Sequence, residues 1–424
     1  MFKKCSFCGK RETPLNPMLA SMLEDNTTEV NICKMCVKSA NGIIEKNHPH
    51  KDEVKDNFKN EDINSIIKNI KKPYNIHKEL DEYIIGQDGA KIALSVAIYN
   101  HYKRVAVNNN SNNDLIEKSN IMMIGPSGSG KTYISKKLAQ IMDVPIVISD
   151  ATSLTQTGYI GNDVESMLTQ LYIESGKDIN KTQRGIIFID EIDKIAKKVD
   201  KAGKDSTGEG VQQNLLKILE GTKVQVPPEF VKNAQAQQLI EIDTTNILFI
   251  MSGVFEGLSD IIKDRSEIKT IGFNTNKEVL EDKSEQEWIE DLNTNDLIEY
   301  GFLQEFLGRV PVTVTLDSLT KSDLVHILTN TKNNIIEQYR GLFNVENKSL
   351  QISDDAIEEI AEMAINTNVG ARGLRKIVEK VLTPFMYNIE KYTDIVIDKE
   401  IVLNTNKMTS REFTEHILKT EVID

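Results

Sequence analysis

The fold of this chain is decided by the stretch Ile121-Met-Met-Ile-Gly-Pro-Ser-Gly-Ser-Gly-Lys-Thr132. Its four leading apolar residues predict a short buried strand, and the pattern from Thr132 onward predicts a helix. Glycines at positions 125, 128 and 130 allow the loop between them to wrap backbone N–H groups around an anion at the positive end of that helix. The sequence G-x-x-x-x-G-K-T in this context predicts a phosphate-binding loop, although a glycine-rich turn beside an unrelated lysine is the simpler alternative.

The residues of this loop have separate expected roles in binding ATP. Lys131 is expected to contact the β- and γ-phosphates, and Thr132 is expected to hold Mg²⁺. ATP and Mg²⁺ are therefore the expected substrate and cofactor of this segment. The remaining predicted nucleotide contacts are Gly125, Pro126, Ser127, Gly128, Ser129, Gly130 and Tyr133.

A second apolar strand, which begins at Gly185, ends in the adjacent carboxylates Asp190 and Glu191. After a phosphate-binding loop, this pattern predicts that Asp190 binds the water shell of Mg²⁺ and that Glu191 orients the attacking water. A third apolar strand leads to Ser252, where we expect a sensor of the γ-phosphate. Strands that alternate with helices predict an α/β fold with a doubly wound parallel sheet, and nucleotide at the carboxyl ends of its strands.

Composition and charge limit the class of protein. The 424 residues are sufficient for two to three domains, and 39% of them are hydrophobic. With 51 basic and 64 acidic residues, the net charge of −13 disfavours direct binding of nucleic acid. The apolar runs are too short to span a bilayer, and the first residues lack the apolar core of a signal peptide. We therefore expect a cytoplasmic protein without a membrane partner.

All four cysteines lie near the amino terminus, in two C-x-x-C pairs. Cys5 and Cys8 form the first pair, and Cys33 and Cys36 form the second. Four thiolates in this arrangement match the tetrahedral coordination that structural Zn²⁺ prefers, whereas two disulfides are the alternative. Because cytosolic thiols stay reduced, we expect a structural zinc site, and a module this small would depend on the metal for its stability.

The order of these segments predicts four regions. Residues 1–46 form the zinc module, residues 47–72 a polar linker, residues 73–315 a large ATPase domain and residues 316–424 a smaller, mainly helical domain. A docking helix over residues 63–70 is an alternative for part of the linker.

Two shorter segments carry further predictions. Ile84 and Ile85 are candidates to contact adenine, because they lie just upstream of the phosphate-binding loop, but they could equally belong to the core. Residues 394–402 are expected to form short strands.

With these residues assembled, the sequence is similar to the ClpX family of AAA+ protein unfoldases over essentially its whole length. The two nucleotide motifs alone would indicate only the AAA+ superfamily. The cysteine module and the tripeptide Ile271-Gly272-Phe273 narrow the resemblance to ClpX. The shared motifs occur in the order of that family, and besides these they are Tyr83-Ile-Ile-Gly-Gln87, Gly158-Tyr-Ile-Gly161, Gly208-Glu-Gly-Val-Gln-Gln213, Gly308-Arg-Val-Pro311 and Gly370-Ala-Arg-Gly-Leu-Arg375.

The resemblance implies a homohexameric ring that unfolds proteins and delivers them to a ClpP-type peptidase. Tyr159 and Ile160 would form the pore loop that grips the substrate, and Arg372 would sense the bound nucleotide. Arg309 would be the arginine finger that reaches the γ-phosphate of a neighbouring subunit, and a surface salt bridge is the simpler alternative for it. Unfolded or tagged proteins and adaptors are the other implied partners, and the zinc module would serve dimerisation and adaptor binding.

The tripeptide Ile271-Gly272-Phe273 would dock on the peptidase. Polar residues flank it, so a loop with two large apolar side chains is predicted. Each buried side chain would contribute only about 1.5–3 kcal/mol, and six loops on a ring would act together. The alternative is that Ile271 and Phe273 fold back onto the large domain.

The sequence departs from the family in three places. The spacer between the cysteine pairs is long, and Phe230-Val-Lys-Asn233 stands where the family commonly has an Arg-Lys-His loop. Residues 274–293 form an acidic segment with Trp288, for which the sequence indicates no role.

Two other functions fit parts of the sequence. A zinc-containing ATPase that remodels nucleic acid is opposed by the net charge and by the aromatic, uncharged pore motif. A self-contained protease is opposed because the sequence has no His-Glu-x-x-His motif and little length after the small domain.

Overall fold

The computed structural model describes ten segments of the chain, and the chain forms two compact units, Met1–Asp62 and Ile63–Asp424. The predictions for Tyr159 and Ile160, and for Ile271-Gly272-Phe273, lie outside the described residues, as do Phe230–Asn233 and most of the proposed linker. The described segments are residues 4–13, 16–22, 29–39, 70–108, 116–154, 164–197, 208–229, 239–270, 283–367 and 370–419.

The first unit contains a two-stranded antiparallel ribbon. Strand β1 (Met18–Met22) pairs with strand β2 (Glu29–Cys33), and Met18 lies opposite Cys33. A helix over residues 34–39 follows β2 directly. The second cysteine pair therefore spans the junction of a strand and a helix.

The second unit is organised around a five-stranded parallel sheet with the spatial order β4-β5-β8-β3-β9. Strands β6 and β7 form a separate antiparallel ribbon, and β10 and β11 form a parallel pair. The bounds of these strands are β3 (Ile121–Ile124), β4 (Ile146–Asp150), β5 (Ile186–Asp190), β6 (Lys223–Val226), β7 (Ile240–Asp243), β8 (Leu248–Gly253), β9 (Val312–Thr315), β10 (Ser349–Ile352) and β11 (Asp394–Ile397).

Helices precede, separate and follow these strands. In chain order they are α1 (Pro73–Asp81), α2 (Asp88–Asn108), α3 (Lys131–Met142), α4 (Val164–Glu174), α5 (Ile179–Thr182), α6 (Gly208–Glu220), α7 (Leu258–Thr270), α8 (Glu285–Glu290), α9 (Thr294–Tyr300), α10 (Gln304–Gly308), α11 (Lys321–Thr329), α12 (Ile335–Val345), α13 (Asp354–Asn366), α14 (Ala371–Tyr387), α15 (Lys399–Lys407) and α16 (Ser410–Lys419).

The alternation of side chains along the central strands creates two cores, one on each face of the sheet. In β3, Met122 and Ile124 join a cluster that includes residues of α4, α6 and α7. Ile121 and Met123 point to the opposite face and join residues of α1, α2 and α3. Because both faces of a parallel strand are apolar, each face needs a layer of helices. The doubly wound α/β fold predicted from the sequence is thus confirmed.

Helices α11 to α15 and the β10–β11 pair enclose a third core, which includes Leu324, Phe343 and Val402. The prediction of strands over residues 394–402 is only half correct, since β11 ends at Ile397 and α15 begins at Lys399. The cause is local: the side chain of Asp398 accepts a hydrogen bond from the backbone N–H of Ile401 at 2.9 Å and so caps a helix.

Trp288 belongs to the core on one face of the sheet. It lies in α8 and is 4% exposed, and the Nζ atom of Lys283 lies 4.9 Å from the centre of its ring. Its role in this structure is therefore the packing of α8, which the sequence did not indicate.

Candidate nucleotide-binding and metal sites

The glycine-rich loop joins the end of β3 to the start of α3. The backbone N–H of Gly125 donates to the carbonyl oxygen of Gly253 at 3.3 Å, and a Cβ added at Gly125 would lie 2.8 Å from the carbonyl oxygen of Leu316. Gly128 and Gly130 have φ angles of 76° and 100°, which other residues rarely adopt. Close approach at the first position and backbone conformation at the other two explain the glycine spacing.

Lys131 is the first residue of α3, and its side chain turns back into the loop. The Nζ atom donates to the carbonyl oxygens of Gly125 at 2.6 Å and Pro126 at 2.8 Å. Burial lowers the pKa of Lys131 to about 8; the negative charge of Asp190 opposes this shift and the positive charge of Arg372 adds to it. The ammonium group is thus held inside the loop, close to Asp190 and Arg372, which are predicted to act on the same nucleotide.

The carboxylate of Asp190 connects the ends of two neighbouring strands with the start of α3. Thr132 Oγ1 donates to Asp190 Oδ2 at 3.1 Å, and Ser252 Oγ donates to Asp190 Oδ1 at 2.5 Å. The structure therefore brings together three predicted site residues from separate parts of the chain. Carboxylate and hydroxyl oxygens are the ligands that hydrated Mg²⁺ prefers, so this donor set fits the ion.

Glu191 follows Asp190 at the exposed end of β5. Its φ angle is 56°, in the left-handed region, and its backbone N–H donates to Asp190 Oδ1 at 3.1 Å. A non-glycine residue in this conformation costs roughly 1–3 kcal/mol and is often found at functional sites. The turn therefore separates the two carboxylates, one directed into the hydrogen-bond network and the other at the solvent-exposed surface.

Asp193, near this turn, is a buried carboxylate that the sequence pattern did not predict. Its side chain is 2% exposed, and among the described residues neither oxygen has a hydrogen-bond partner, although Lys194 Nζ lies 3.4 Å from Oδ2. A Cβ added at Gly253 would lie 2.4 Å from Asp193 Oδ1. The only signal in the sequence was an acidic residue shortly after the Asp-Glu pair, which by itself indicates nothing about burial.

A cavity of about 580 Å³ lies beside the loop and extends to the helices of the third core. Ile84, Ile85, Tyr133 and Arg372, which are predicted to contact the nucleotide, line this cavity together with the loop. Ile84 is 7% exposed and also packs in the core, so its core role is observed and its contact with adenine stays a prediction. The lining residues that sequence reasoning did not predict are Tyr83, Ile134, Lys136, Leu319, Ile327, Thr331, Asn333, Asn334, Ile335, Gln338, Ala371 and Arg375.

The start of α14 lies directly against the glycine-rich loop. Gly370, which precedes α14, has a φ angle of 59°, and a Cβ added to it would lie 3.2 Å from the Cα and carbonyl oxygen of Gly128. Arg372 follows in the first turn of α14 and reaches the cavity. Two glycines thus allow the backbones of the loop and of α14 to touch.

Two glutamine side chains hold the segment that follows β9. Gln87 Nε2 donates to the carbonyl oxygen of Asp317, and Gln87 Oε1 accepts from the Asp317 N–H, both at 2.8 Å. Gln286 of α8 donates to the carbonyl oxygen of Leu316 at 3.3 Å and accepts from the N–H of Ser318 at 2.9 Å. The connection between the sheet and the last helices is therefore fixed on both sides.

The four cysteine sulfurs form a compact group, all within 4.8 Å of one another. Cys8 Sγ and Cys33 Sγ are 3.6 Å apart, too far for a disulfide. A tetrahedral zinc site with Zn–S distances of about 2.3 Å has sulfur–sulfur edges of about 3.8 Å, so this donor set fits Zn²⁺. Hydrogen bonding from the backbone of Cys36 lowers the pKa of Cys33 to about 6, whereas the side-chain hydrogen bond to Cys8 raises the pKa of Cys36 to about 12. The thiolate form is thus favoured at Cys33 and disfavoured at Cys36, and the sulfur geometry is what supports a metal site.

Protein-family models and a known protein match this chain. Residues 116–313 match an AAA domain (Cdc48 subfamily), residues 3–46 match a ClpX C4-type zinc finger, and residues 319–390 match the C-terminal, D2-small domain of ClpB protein. An ATP-dependent Clp protease ATP-binding subunit ClpX from Treponema denticola is 46% identical over 339 residues, which is 79% of this chain and 82% of that protein. The chain belongs to the ClpX family. ATP hydrolysis by an AAA domain is the activity of that family, and four cysteines of a zinc finger are its metal ligands.

One site residue that the ClpX resemblance implies lies apart from the cavity. Arg309 caps the carboxyl end of α10, and its Nε and Nη2 atoms lie 3.0 and 2.9 Å from Glu220 Oε1. Both side chains are about half exposed, and Arg309 is not among the described residues that line the cavity. The salt bridge considered as an alternative is thus present in the single chain, and contact with a neighbouring subunit stays a prediction.

The described helices include none that is both long and apolar enough to cross a membrane.

Proposed function

We propose that this ClpX-family protein is an ATP-driven unfoldase and translocase that works as a homohexameric ring in the cytoplasm. Substrates are unfolded or tagged proteins, which the ring threads through its pore and either releases or delivers to a ClpP-type peptidase. The domain organisation that we propose is a zinc module (1–46), a linker (47–72), a large ATPase domain (73–315) and a small domain (316–424).

One observation carries the proposal: the cavity is lined by the glycine-rich loop on one side and by Arg372 and α12 on the other. A nucleotide in this cavity contacts both the sheet domain and the last helices. Its binding energy therefore differs between arrangements of the two, and only such a difference can drive a conformational change. ATP binding and hydrolysis can thus be converted into movement of one domain against the other.

The chemistry assigned to the chain's own residues follows from their positions. Lys131 neutralises charge on the β- and γ-phosphates, Thr132 and Asp190 hold Mg²⁺ with its water, and Ser252 reports the γ-phosphate through its hydrogen bond to Asp190. Bound Mg²⁺ supplies electrophilic stabilisation of phosphate charge. Glu191, at the exposed end of β5, accepts a proton from the attacking water.

Contacts with polypeptides are assigned to segments outside the described residues. Tyr159 and Ile160 grip the substrate by packing, and Ile271-Gly272-Phe273 docks on the peptidase. Both assignments rest on the family to which the chain belongs and on the aromatic and apolar residues in otherwise polar or glycine-flanked sequence.

The zinc module binds one Zn²⁺ through Cys5, Cys8, Cys33 and Cys36 and serves dimerisation and adaptor binding. The mutual distances of the four sulfurs support the metal site.

The proposal is tested by the fluorescence of a stable tagged fluorescent protein, measured with ATP and with or without a ClpP-type peptidase. We expect ATP-dependent loss of fluorescence that becomes irreversible when the peptidase is added. ATP hydrolysis without loss of fluorescence, combined with strong stimulation of hydrolysis by DNA, would instead support the remodelling of nucleic acid.

A further inference from the structure

Arg309 is fixed through its backbone by a buried carboxamide. Asn120 is 1% exposed, and its Nδ2 donates to the carbonyl oxygen of Arg309 at 2.7 Å, although the two residues are 189 positions apart. The other end of the same amide accepts the N–H of Phe249 at 3.3 Å. One side chain therefore joins the start of β3, the second residue of β8 and the residue after α10.

The same carboxamide also faces the segment that holds the Arg309 side chain. Asn120 Nδ2 lies 3.5 Å from the carbonyl oxygen of Leu219, a long contact at the end of α6. The next residue is Glu220, whose Oε1 atom binds the guanidinium group of Arg309. Asn120 thus touches the backbone on both sides of the Arg309–Glu220 ion pair.

We propose that Asn120 is a positioning residue for Arg309, which sets where the guanidinium group is presented to the nucleotide of a neighbouring subunit. The inference rests on the proposed function, because it assumes that Arg309 acts across a subunit interface. It adds a residue that lies in neither nucleotide motif and has no contact with the cavity among the described residues.

Geometry explains why a positioning residue is needed here. Arg309 lies between a short helix, α10, and the strand β9, and within the described segments its half-exposed side chain has one ion-pair partner, Glu220. Exposed ion pairs stabilise a side-chain position only weakly, so the backbone must supply the precision. Misplacement of a charge-stabilising group by about 1 Å can cost on the order of a hundredfold in rate.

The location of Asn120 also connects the two ends of one strand. It immediately precedes β3, and β3 ends at the glycine-rich loop that binds phosphate in the same subunit. A shift of β3 along its axis would therefore move both the subunit's own loop and, through Asn120, the arginine offered to its neighbour.

The decisive variant is Asn120→Asp. It has the same shape and keeps an oxygen to accept the N–H of Phe249, but its ionised form replaces the donor facing the Arg309 carbonyl with a second oxygen. Because burial favours the neutral acid, which can still donate, Asn120→Ala is measured beside it and removes the donor at every pH. We expect kcat for ATP hydrolysis to fall roughly 10–100-fold with little change in KM, because the subunit's own cavity is intact.

If Asn120 were purely structural, replacing it would lower the stability of the protein without a loss of hydrolysis that a neighbouring subunit can rescue. A control variant separates this structural role from the positioning role. Gln87→Glu is the matched control, since Gln87 is 6% exposed and both donates to the carbonyl oxygen of Asp317 and accepts its N–H at 2.8 Å, outside the helix α10 that Arg309 caps. We expect thermal destabilisation in both variants, but rescue of hydrolysis by mixing with Lys131→Ala subunits only for Asn120→Asp.

A double-mutant cycle gives the second readout. If Asn120 acts through Arg309, Asn120→Asp should add little to the loss of kcat already caused by Arg309→Ala. Multiplied losses in the double variant, or absence of rescue by Lys131→Ala subunits, would overturn the proposal.

Two further measurements distinguish a failure of the Asn120 proposal from a failure of assembly or of the role of Arg309. Should Asn120→Asp fail to assemble, Asn120→Ala, which buries no charge, replaces it in the same cycle with the same expectation. If Arg309→Ala itself hydrolyses ATP at the normal rate, the role of Arg309 across the interface fails, and the proposal for Asn120 fails with it for that separate reason.

Discussion

The two charged groups that this protein would use on one phosphate are built in opposite ways. Lys131 is 7% exposed and lies inside a loop whose backbone accepts both of its hydrogen bonds. Arg309 is about half exposed and is held by one carboxylate at the surface. Lys131 has its hydrogen-bond acceptors within its own chain, whereas the exposed carboxylate that holds Arg309 could be exchanged for another negative charge, such as a phosphate. A ring in which each site is finished by its neighbour requires such a difference.

The largest expected effect comes from removing Arg309, the exposed one of the two charged groups. In Arg309→Ala, ATP hydrolysis should fall by roughly 10³–10⁵-fold, because a guanidinium group no longer offsets charge in the transition state. Mixing this variant with Lys131→Ala subunits should restore part of the activity measured in a coupled ATPase assay. If no mixture recovers activity, the two groups do not meet across a shared site.

Glu191→Gln tests the residue that acts on the attacking water rather than on the phosphates. We expect ATP binding to be retained, since Lys131, Thr132 and Asp190 are unchanged, and turnover to fall by about 10²–10⁴-fold, the usual contribution of a general base. Equilibrium binding of labelled ATP and steady-state hydrolysis measure the two effects. Hydrolysis near the normal rate would remove Glu191 from the catalytic role.

The burial of Lys131 predicts a pH dependence that Arg309 cannot show. The pKa of Lys131 is lowered to about 8 in the free protein, so the charged form is fully present well below this pH and is lost as the pH rises through it. Phosphate binding requires the charged form, so the affinity for ATP should fall by about tenfold at pH 9 relative to pH 7.

Calorimetry checks this directly. At pH 8, ATP binding should take up about half a proton, which appears as a dependence of the binding enthalpy on the ionisation enthalpy of the buffer. The Arg372→Ala variant, which removes a neighbouring positive charge, should shift the loss of affinity to higher pH. Binding enthalpies that are equal in all buffers at pH 8 would contradict the lowered pKa.

A smaller effect is expected where α14 meets the loop that surrounds Lys131. Gly370→Ala should destabilise the protein by about 1–3 kcal/mol, since the residue has a left-handed φ angle and a Cβ would press on Gly128. Gly341→Ala in α12 is the matched control, because nothing lies within 4 Å of an added Cβ there. Urea unfolding should show a slight gain in stability for the control; an equal loss in both would refute the contact.

The smallest effect on hydrolysis should follow removal of the zinc. Chelation should unfold residues near 1–45, because four thiols in so small a module have no sufficient core, while ATP hydrolysis continues. Metal analysis should find one zinc per chain, and circular dichroism should follow the local unfolding. A protein free of zinc, with disulfides intact under reducing conditions, would overturn the metal site.

The parts of the site that sequence could predict are those set by local chemistry. The loop around Lys131 and the carboxylates at the end of β5 are each specified within a few residues, because glycine conformation, helix starts and strand ends are local. Parallel strands then place Asp190 and Ser252 side by side without further information.

The rest of the site depends on contacts between distant residues. Leu319, Ile335 and Gln338 lie on helices whose patterns resemble those of ordinary core helices, so nothing in the sequence assigns them to the cavity. The bond between Asn120 and Arg309 spans 189 positions, and a single asparagine before a strand carries no signal of it. Local patterns predict which groups exist, and only tertiary packing decides which of them meet.

The contact between Gly128 and Gly370 has a consequence for how this protein can change over evolutionary time. When two large residues touch in a core, growth of one can be compensated by shrinkage of the other. Here each position already holds the smallest residue, so a larger side chain at either one cannot be compensated at its partner. Substitution histories should therefore show these positions as invariant together rather than as a covarying pair. A method that infers contacts from covariation would miss the point where the nucleotide loop meets the last helices.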